Sequence, residues 1–309
     1  IKTINRQYDD RFTRDGAKNG GSLLIREPNQ FTVRTGATMD ANDITESTQT
    51  LAVATRKGVD LPNFTSLEMT TSVDDFKERY LEPAMSKLAA DVEYTVLSNV
   101  YKDIFNQSGT GSTEPDAFDD VVNANVKLSQ GLAPESKRSF LADSVTMGSM
   151  VDAVKALFHK STEIERAFSE GYIGNAVGLK WYESNMVPSH TNGTRTDTTP
   201  VVNTSTGITS GTAVITMTAF ADGTTYKKGD IFTVADVFAV NPETKQRYSH
   251  LQQFVVTADE TETGSGDMSP AVSPTPITSG AKQNVDLESA GASKAVINLT
   301  AGGSGAASG

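Results

Sequence analysis

The chain has no cysteine. Disulfides, thiolate nucleophiles and cysteine-ligated zinc are therefore excluded, and stability must come from packing or assembly. Residue types that carry catalysis are scarce: His159, His190 and His250 are the three histidines, and Trp181 is the one tryptophan, in 309 residues. Positive charge is in deficit, with 27 Lys and Arg against 38 Asp and Glu and a formal net charge of −11. Phosphate neutralisation needs clustered Lys and Arg, so this balance argues against a nucleic-acid-binding surface. No apolar run approaches the roughly 18 residues of a membrane span, and no signal-peptide pattern opens the sequence. The hydrophobic share of 37% can build a core but is lean for a compact enzyme of this length. The sequence starts at Ile1 and closes on the linker-like AGGSGAASG, so both ends of a longer chain are expected to lie outside it.

What is present reads in order. Residues 18–64 form two strand-like stretches, GSLLIREPNQFTVRT and TQTLAVATRKGVDLPNF, around the polar tip GATMDANDITES. In the return stretch Leu51, Val53 and Thr55 alternate with Ala52, Ala54 and Arg56. Few bulky apolar residues line either face, and a two-stranded ribbon is marginal alone, so a neighbouring copy is its expected support. Arg26, Arg34, Arg56 and Lys57 against Asp40, Asp43, Glu46 and Asp60 give this hairpin both signs of charge, suited to inter-subunit ion pairs. The strongest helical signal follows. Ser72 and Asp75 resemble a capping box, and Pro83 suits the first turn of a second helix. Met85, Leu88, Val92, Val96, Leu97, Val100, Ile104 and Phe105 then recur at three- and four-residue spacing. About 23 residues make a rod of roughly 35 Å.

A second helix is expected over Asp116–Gln130, stopped by Gly131 and Pro134. RSFLAD reads as a buried strand. SVTMGSMVDAVKALFHK reads as a helix with Met147, Met150, Val151, Val154, Leu157 and Phe158 inward, and YIGNAVGLKWYESNMV as one strand with glycine bends. Past Pro188 the composition shifts. Eleven threonines lie between 191 and 218, and the periodicity of TAVITMTAF, DIFTVADVFAV and HLQQFVVTAD, with the turn NPET, is strand-like, so a β-module is expected from about residue 195. Helices and strands mixed without βαβ alternation make the chain α+β.

Candidate chemistry is thin. His190 stands beside the turn composition TNGT and reads as a solvated loop histidine rather than a base. His159 ends a helix, where a cation suits the macrodipole, and His250 begins a strand. Asp9–Asp10, Asp74–Asp75 and Asp119–Asp120 are adjacent pairs, which diverge by about 100° on a helix and so do not make a two-carboxylate site. DANDITES lacks the central Gly and terminal Glu of a calcium loop. GTGSTEP and GGSGAASG lack the Lys-Ser/Thr of a phosphate loop. No catalytic, cofactor-binding or metal-ligating residue is assigned.

Three segments together resemble the major capsid (coat) protein family of tailed bacteriophages, in the branch with an inserted β-barrel domain. KLAADVEYTVLSNVYKDI looks like that family's spine helix, and the polar hairpin before it sits where the family has its extended loop. The run from FLADSVTMGSM to SNMVPSHTNGT resembles its axial domain, and TGITSGTAVITMTAF with YKKGDIFTVADVFAVNPETKQRY its inserted domain. The resemblance implies an N-terminal arm over 1–17, an extended hairpin loop over 18–64 and a peripheral domain with the spine helix over 65–106. It implies further an axial domain over 107–194, an inserted β-rich domain over 195–300 and a linker over 301–309. The implied function is that of a non-enzymatic shell subunit. Such a subunit forms hexamers and pentamers of an icosahedral head around double-stranded DNA, in the virion, after assembly in the host cytoplasm. Scaffolding, portal and decoration proteins are its implied partners, with no cofactor, no membrane and no sequence-specific nucleic acid. A carbohydrate-binding or adhesin-like protein would also account for the Thr-rich β-module, and a hydrolase built on His190 is the enzymatic rival.

Overall fold

The structure, a computed structural model, describes residues 22–31, 33, 35–37, 46–52, 57–60, 77–109, 115, 117–136, 138–154, 175–194, 200–203, 207–262, 264–288 and 294–298. The chain divides into two compact units, Ile1–Thr95 and Val96–Gly309.

In the first unit, strand β1 (Ser22–Arg26) pairs antiparallel with β2 (Thr48–Ala52), in the register Ser22↔Ala52 to Arg26↔Thr48. Pairing continues by one bond beyond the strands, where the Glu27 N–H donates to the Ser47 carbonyl at 2.9 Å. On the first strand the ladder is shorter than its sequence pattern predicts: residues 28–31 have no ladder partner among the described residues, and neither do residues 57–60. Pro28 explains part of this, because it has no N–H to give a ladder. Val53–Arg56, with the tip residues 38–45, lie outside the described residues, as do Ser72 and Asp75. A π-helical turn, Lys77–Leu81, leads without a break into helix α1 (Glu82–Val100), so Pro83, which has no N–H to donate, stands at the junction of the two and not at a free helix start. The α-helix is shorter than the periodicity predicts. It tightens into a 3₁₀ turn at Tyr101–Asp103, and Ile104 is extended at φ −93°, ψ 119°.

In the second unit, α2 (Phe118–Gln130) ends on Gly131, and Asp119 and Asp120 in its first turn complement the helix dipole. Strand β3 (Ser139–Ala142) lies parallel to β5 (Leu179–Glu183), which pairs antiparallel with β4 (Asn175–Ala176). One strand with a bend was the expectation; two strands joined by a tight turn are found. Val177 (φ 55°) and Gly178 (φ 74°) both have the left-handed geometry of a type I′ turn, and a valine at the first position hides the usual Asn-Gly signal. Helix α3 (Ser144–Val154) starts on Asp143, whose Oδ1 accepts the Thr146 N–H at 3.0 Å. Val121, Ala142, Met147, Met150, Leu179 and Trp181 make the core of this region, with Phe140 against Trp181 at 4.5 Å between ring centres. Leu157, Phe158 and His159 are outside the described residues. Arg138 ties the region together: its guanidinium donates to the carbonyls of Pro134 and Ala133, to Asn125 Oδ1 and to Ser129 Oγ. Asn125 in turn donates to the Val177 carbonyl at 3.0 Å.

The remainder is a β-module. Its main sheet is built on β9 (Ile231–Val240), which pairs with β10 (Arg247–Val256) on one edge. The other edge is shared by β13 (Val285–Leu287) and β14 (Val296–Asn298), and β12 (Val272–Ser273) lies outside β10. Two small ladders, β6 (Val201–Val202) with β7 (Met217–Thr218) and β8 (Thr225–Tyr226) with β11 (Glu260–Thr261), complete it. The β9–β10 turn is held by Asn241, whose Oδ1 accepts the N–H groups of Glu243 and Thr244. The core contains Ile215, Met217, Tyr226, Phe232, Val234, Phe254 and Met268, all essentially without solvent contact. It shares no residue with the Trp181 core. The first and last described segments of the module lie side by side. The Val202 N–H donates to the Lys294 carbonyl at 2.8 Å, and the Val296 N–H to the Pro200 carbonyl at 2.9 Å. Residues 195–199, where the composition changes, lie outside the described residues.

Candidate functional site: hairpin charges and a polar seam

Of the eight charged hairpin residues, four are described. Arg26 on β1 and Glu46 before β2 meet across the hairpin at 3.3 Å, both largely exposed. Gln49 Nε2 donates to Glu27 Oε1 at 2.8 Å beside them. Lys57 turns to helix α1, where it bonds Asp91 Oδ2 and Thr95 Oγ1, each at 2.5 Å. Asp60 is exposed. Arg34, Asp40, Asp43 and Arg56 lie outside the described residues. Thus two of the four described charges pair with each other and a third pairs with the helix; Asp91 is a partner that the hairpin's own sequence could not indicate.

Around these charges the unit is apolar and uncovered. Leu24, Ile25, Phe31 and Val33 in the hairpin, and Tyr80, Leu81, Met85, Val92 and Tyr94 in and before α1, are all exposed. Among the described residues none before Val121 is buried. The helical periodicity is real, but among the described residues Met85, Val92 and Val100 on the stripe are exposed, and Leu88, Val96 and Leu97 are only half-buried.

The second unit carries a polar seam between its helical part and the β-module. His190 corrects the expectation of a solvated loop: its side chain is 11% exposed, and it lies between two partners. Asp230 is a carboxylate acceptor, so Nε2–H donates to Asp230 Oδ1 at 2.9 Å. In the neutral ring, Nδ1 then accepts the Tyr101 hydroxyl at 3.1 Å. Both ring nitrogens are engaged, so neither is turned toward a substrate. The other Asp230 oxygen accepts the N–H groups of Gly193 (3.1 Å) and Lys227 (2.9 Å). Two glycines make room. A Cβ on Gly193 would stand 2.0 Å from the Thr225 carbonyl oxygen, and Gly229, at φ 103°, would bring one to 2.9 Å from the His190 ring. The sequence signal for this network was weak, since His190 and Asp230 are forty residues apart and only KKGD, a turn composition, marks the acceptor.

Further along the seam, Gln253 on β10 acts like an added strand residue. Its Oε1 accepts the Gln107 N–H at 2.9 Å and its Nε2 donates to the Gln107 carbonyl at 3.1 Å. Lys127 of α2 donates to both Gln253 Oε1 and the Gln107 carbonyl. Tyr248 donates its hydroxyl to the Gln130 carbonyl at 3.3 Å. Burial pushes the Lys127 pKa down, and burial followed by the charge of Lys127 pushes that of His250 down. Elsewhere in the β-module, Glu262 is buried and folds back on its own loop, where Oε1 accepts Gly264 N–H (2.7 Å) and Gly266 N–H (2.6 Å). These bonds hold its carboxyl below the usual range. Among the described residues there is no cluster of three or more His, Asp or Glu fit for a metal, and no helix is long and apolar enough to cross a membrane.

The family model described as "P22 coat protein - gene protein 5" matches residues 10–302, and the chain belongs to that family. No curated protein matches the chain. Among solved structures it is similar to one titled Mycobacterium phage Che8, at 13% identity and a TM-score of 0.45, covering 86% of this chain and 88% of that one. It is also similar to the asymmetric unit of bacteriophage PhiM1 mature capsid, at 12% identity, TM-score 0.39 and 84% of both chains. The CUS-3 coat protein I-domain matches at 25% identity with a TM-score of 0.24, over 34% of this chain and 98% of that one.

Proposed function

We propose that the chain is the major structural subunit of a phage head and self-assembles into an icosahedral shell enclosing double-stranded DNA. The observation that carries this reading is the first unit: Leu24, Ile25, Phe31, Val33, Met85 and Val92 are all solvent-exposed in the isolated chain. An apolar patch of this extent marks an interaction surface. A copy of the same chain is the partner the family offers. In this reading α1 is the spine helix, residues 18–64 are the extended loop, and the β-module is an insertion. The adjacency of Pro200–Val202 and Lys294–Val296 supports the last point, because an inserted domain must begin and end at one place. The charged residues Arg26, Arg34, Asp40, Asp43, Glu46, Arg56, Lys57 and Asp60 serve inter-subunit register. Exposed pairs contribute about 0.2–1 kcal/mol each, and repetition over a closed lattice multiplies them.

The subunit does no enzymatic chemistry in this reading. Its net charge of −11 keeps the shell from binding the DNA it encloses, so filling is driven by a portal motor. Scaffolding and decoration proteins complete the partners, and assembly takes place in the host cytoplasm. Size-exclusion chromatography with electron microscopy on the full-length protein is the test. Closed particles or capsomer sheets are expected. A stable monomer, even with scaffolding protein supplied, sinks the proposal and leaves glycan binding by the β-module as the next reading.

A further inference from the structure

A cleft of about 170 Å³ opens between the C-terminal half of α2 and the β9–β10 ribbon. Its walls carry the Lys127 ammonium and the His250 imidazole together with Gln130, Gln253, Asn106 and Asn284, and no Asp or Glu lines it. That is unusual in a chain with 38 acidic residues against 27 basic ones. The Lys127 ammonium is half-buried, and its partners are neutral oxygens, the Gln107 carbonyl and Gln253 Oε1. His250 stacks on Tyr248 with ring centres 5.2 Å apart. Burial lowers the pKa of Lys127, and burial followed by the Lys127 charge lowers that of His250, so the ammonium is the charge that a bound anion would stabilise here. An opposite charge within about 4–6 Å would favour the charged lysine, and ammonium–carboxylate hydrogen bonds are among the stronger ones.

We infer that this cleft receives a carboxylate, an Asp or Glu side chain supplied by a second copy of the chain. The size fits, since a cleft of about 170 Å³ has room for several waters, or one acidic side chain. The surroundings favour a protein over a free ion. Leu132, next to Gly131 on the cleft wall, is an exposed large apolar side chain that another chain would cover, and Val126 and Leu128 expose further apolar surface on the flanking faces of α2. The acidic surplus makes a copy of the same chain a ready donor. The inference rests on the shell-subunit reading, and the contact it adds is a charged socket in the second unit, apart from the hairpin charges.

The test uses the unaltered full-length protein. Equal amounts of ¹⁴N- and ¹⁵N-labelled chains are co-assembled, treated with a zero-length carbodiimide, digested and analysed by mass spectrometry. The expected result is an amide between Lys127 and an Asp or Glu in peptide pairs of mixed isotope, present in particles and absent from unassembled protein. Particles that yield other inter-copy links but no mixed-isotope link at Lys127 overturn the socket while leaving the shell reading intact. Failure to form any particle or sheet overturns the shell reading, and the socket with it. Inorganic phosphate, titrated against the unassembled protein, is the control. Saturable shifts of the His250 ring signals, with no Lys127 link in particles, would make the cleft a small-ion site and overturn the inter-copy assignment.

Discussion

In the hairpin–helix unit Phe31 is 72% exposed and Val33 fully so, whereas in the β-module Phe232 and Phe254 have no solvent contact. Both regions carry large apolar residues, but only the module gathers its own around a common centre. Strand β9 has ladder partners on both edges, which satisfy its backbone, and its side chains are mostly buried in the module's core. The β1–β2 ribbon has two strands and nothing described on its faces. The module therefore buries its own apolar residues, whereas the described apolar residues of the hairpin and of α1 that stay exposed are, in the proposed reading, covered by a neighbour.

Substitutions test that division. The largest effect is expected for Phe232→Ala, about 3–5 kcal/mol of lost stability by urea unfolding, as for other buried aromatic truncations. Phe31→Ala should change the same measurement by less than about 0.5 kcal/mol and reduce particle yield instead. Equal losses from the two would break the comparison. Asp230→Ala removes the acceptor for Gly193, Lys227 and His190 together. At roughly 1–3 kcal/mol for each buried group left unpaired, about 3 kcal/mol is expected in the same assay.

Smaller effects sharpen the picture within the second unit. Val177→Asn gives the type I′ turn its preferred residue and should raise stability by about 1 kcal/mol, read as a shift in the urea midpoint. Glu262 tests the sign of a titration. Its folded pKa is depressed, chiefly by the Gly264 and Gly266 N–H bonds, so its contribution is complete above the unfolded value and lost as pH falls through the folded one. Amide exchange at Gly264 and Gly266 should lose protection only below the ordinary glutamate range, after correction for the intrinsic rate. Glu262→Gln should remove the pH dependence. Smallest of all, Arg26→Ala should cost the unassembled chain less than about 0.5 kcal/mol, because the Arg26–Glu46 pair is solvent-exposed.

What the sequence disclosed follows the same physical divide. The β9–β10 ribbon and its Asn241 turn were legible, because alternation and turn chemistry are local. The α1 stripe was legible as a period, though not as an uncovered one, since periodicity records which residues share a face and not what lies against it. The Val177–Gly178 turn was read as a bend, because a β-branched residue with positive φ runs against local propensity and is held from outside, by Asn125. His190 and Gln253 were missed for a different reason. A histidine beside a turn and a glutamine in mid-strand look solvent-facing until the partners Asp230 and Gln107 arrive from distant segments. The candidate site was thus legible as charge composition only; its pairings are long-range.

The adjacency of Pro200–Val202 and Lys294–Val296 has one more consequence. Antiparallel partners stand about 5 Å apart, so in the proposed insertion reading the module's two ends leave at one place, as a turn's do. A gene segment with such ends can be exchanged for a relative's without shifting the flanking chain, provided that the seam partners Asp230, Tyr248 and Gln253 are kept. Selection can then act on the module's outer face at a different pace from the surfaces that must match a neighbour.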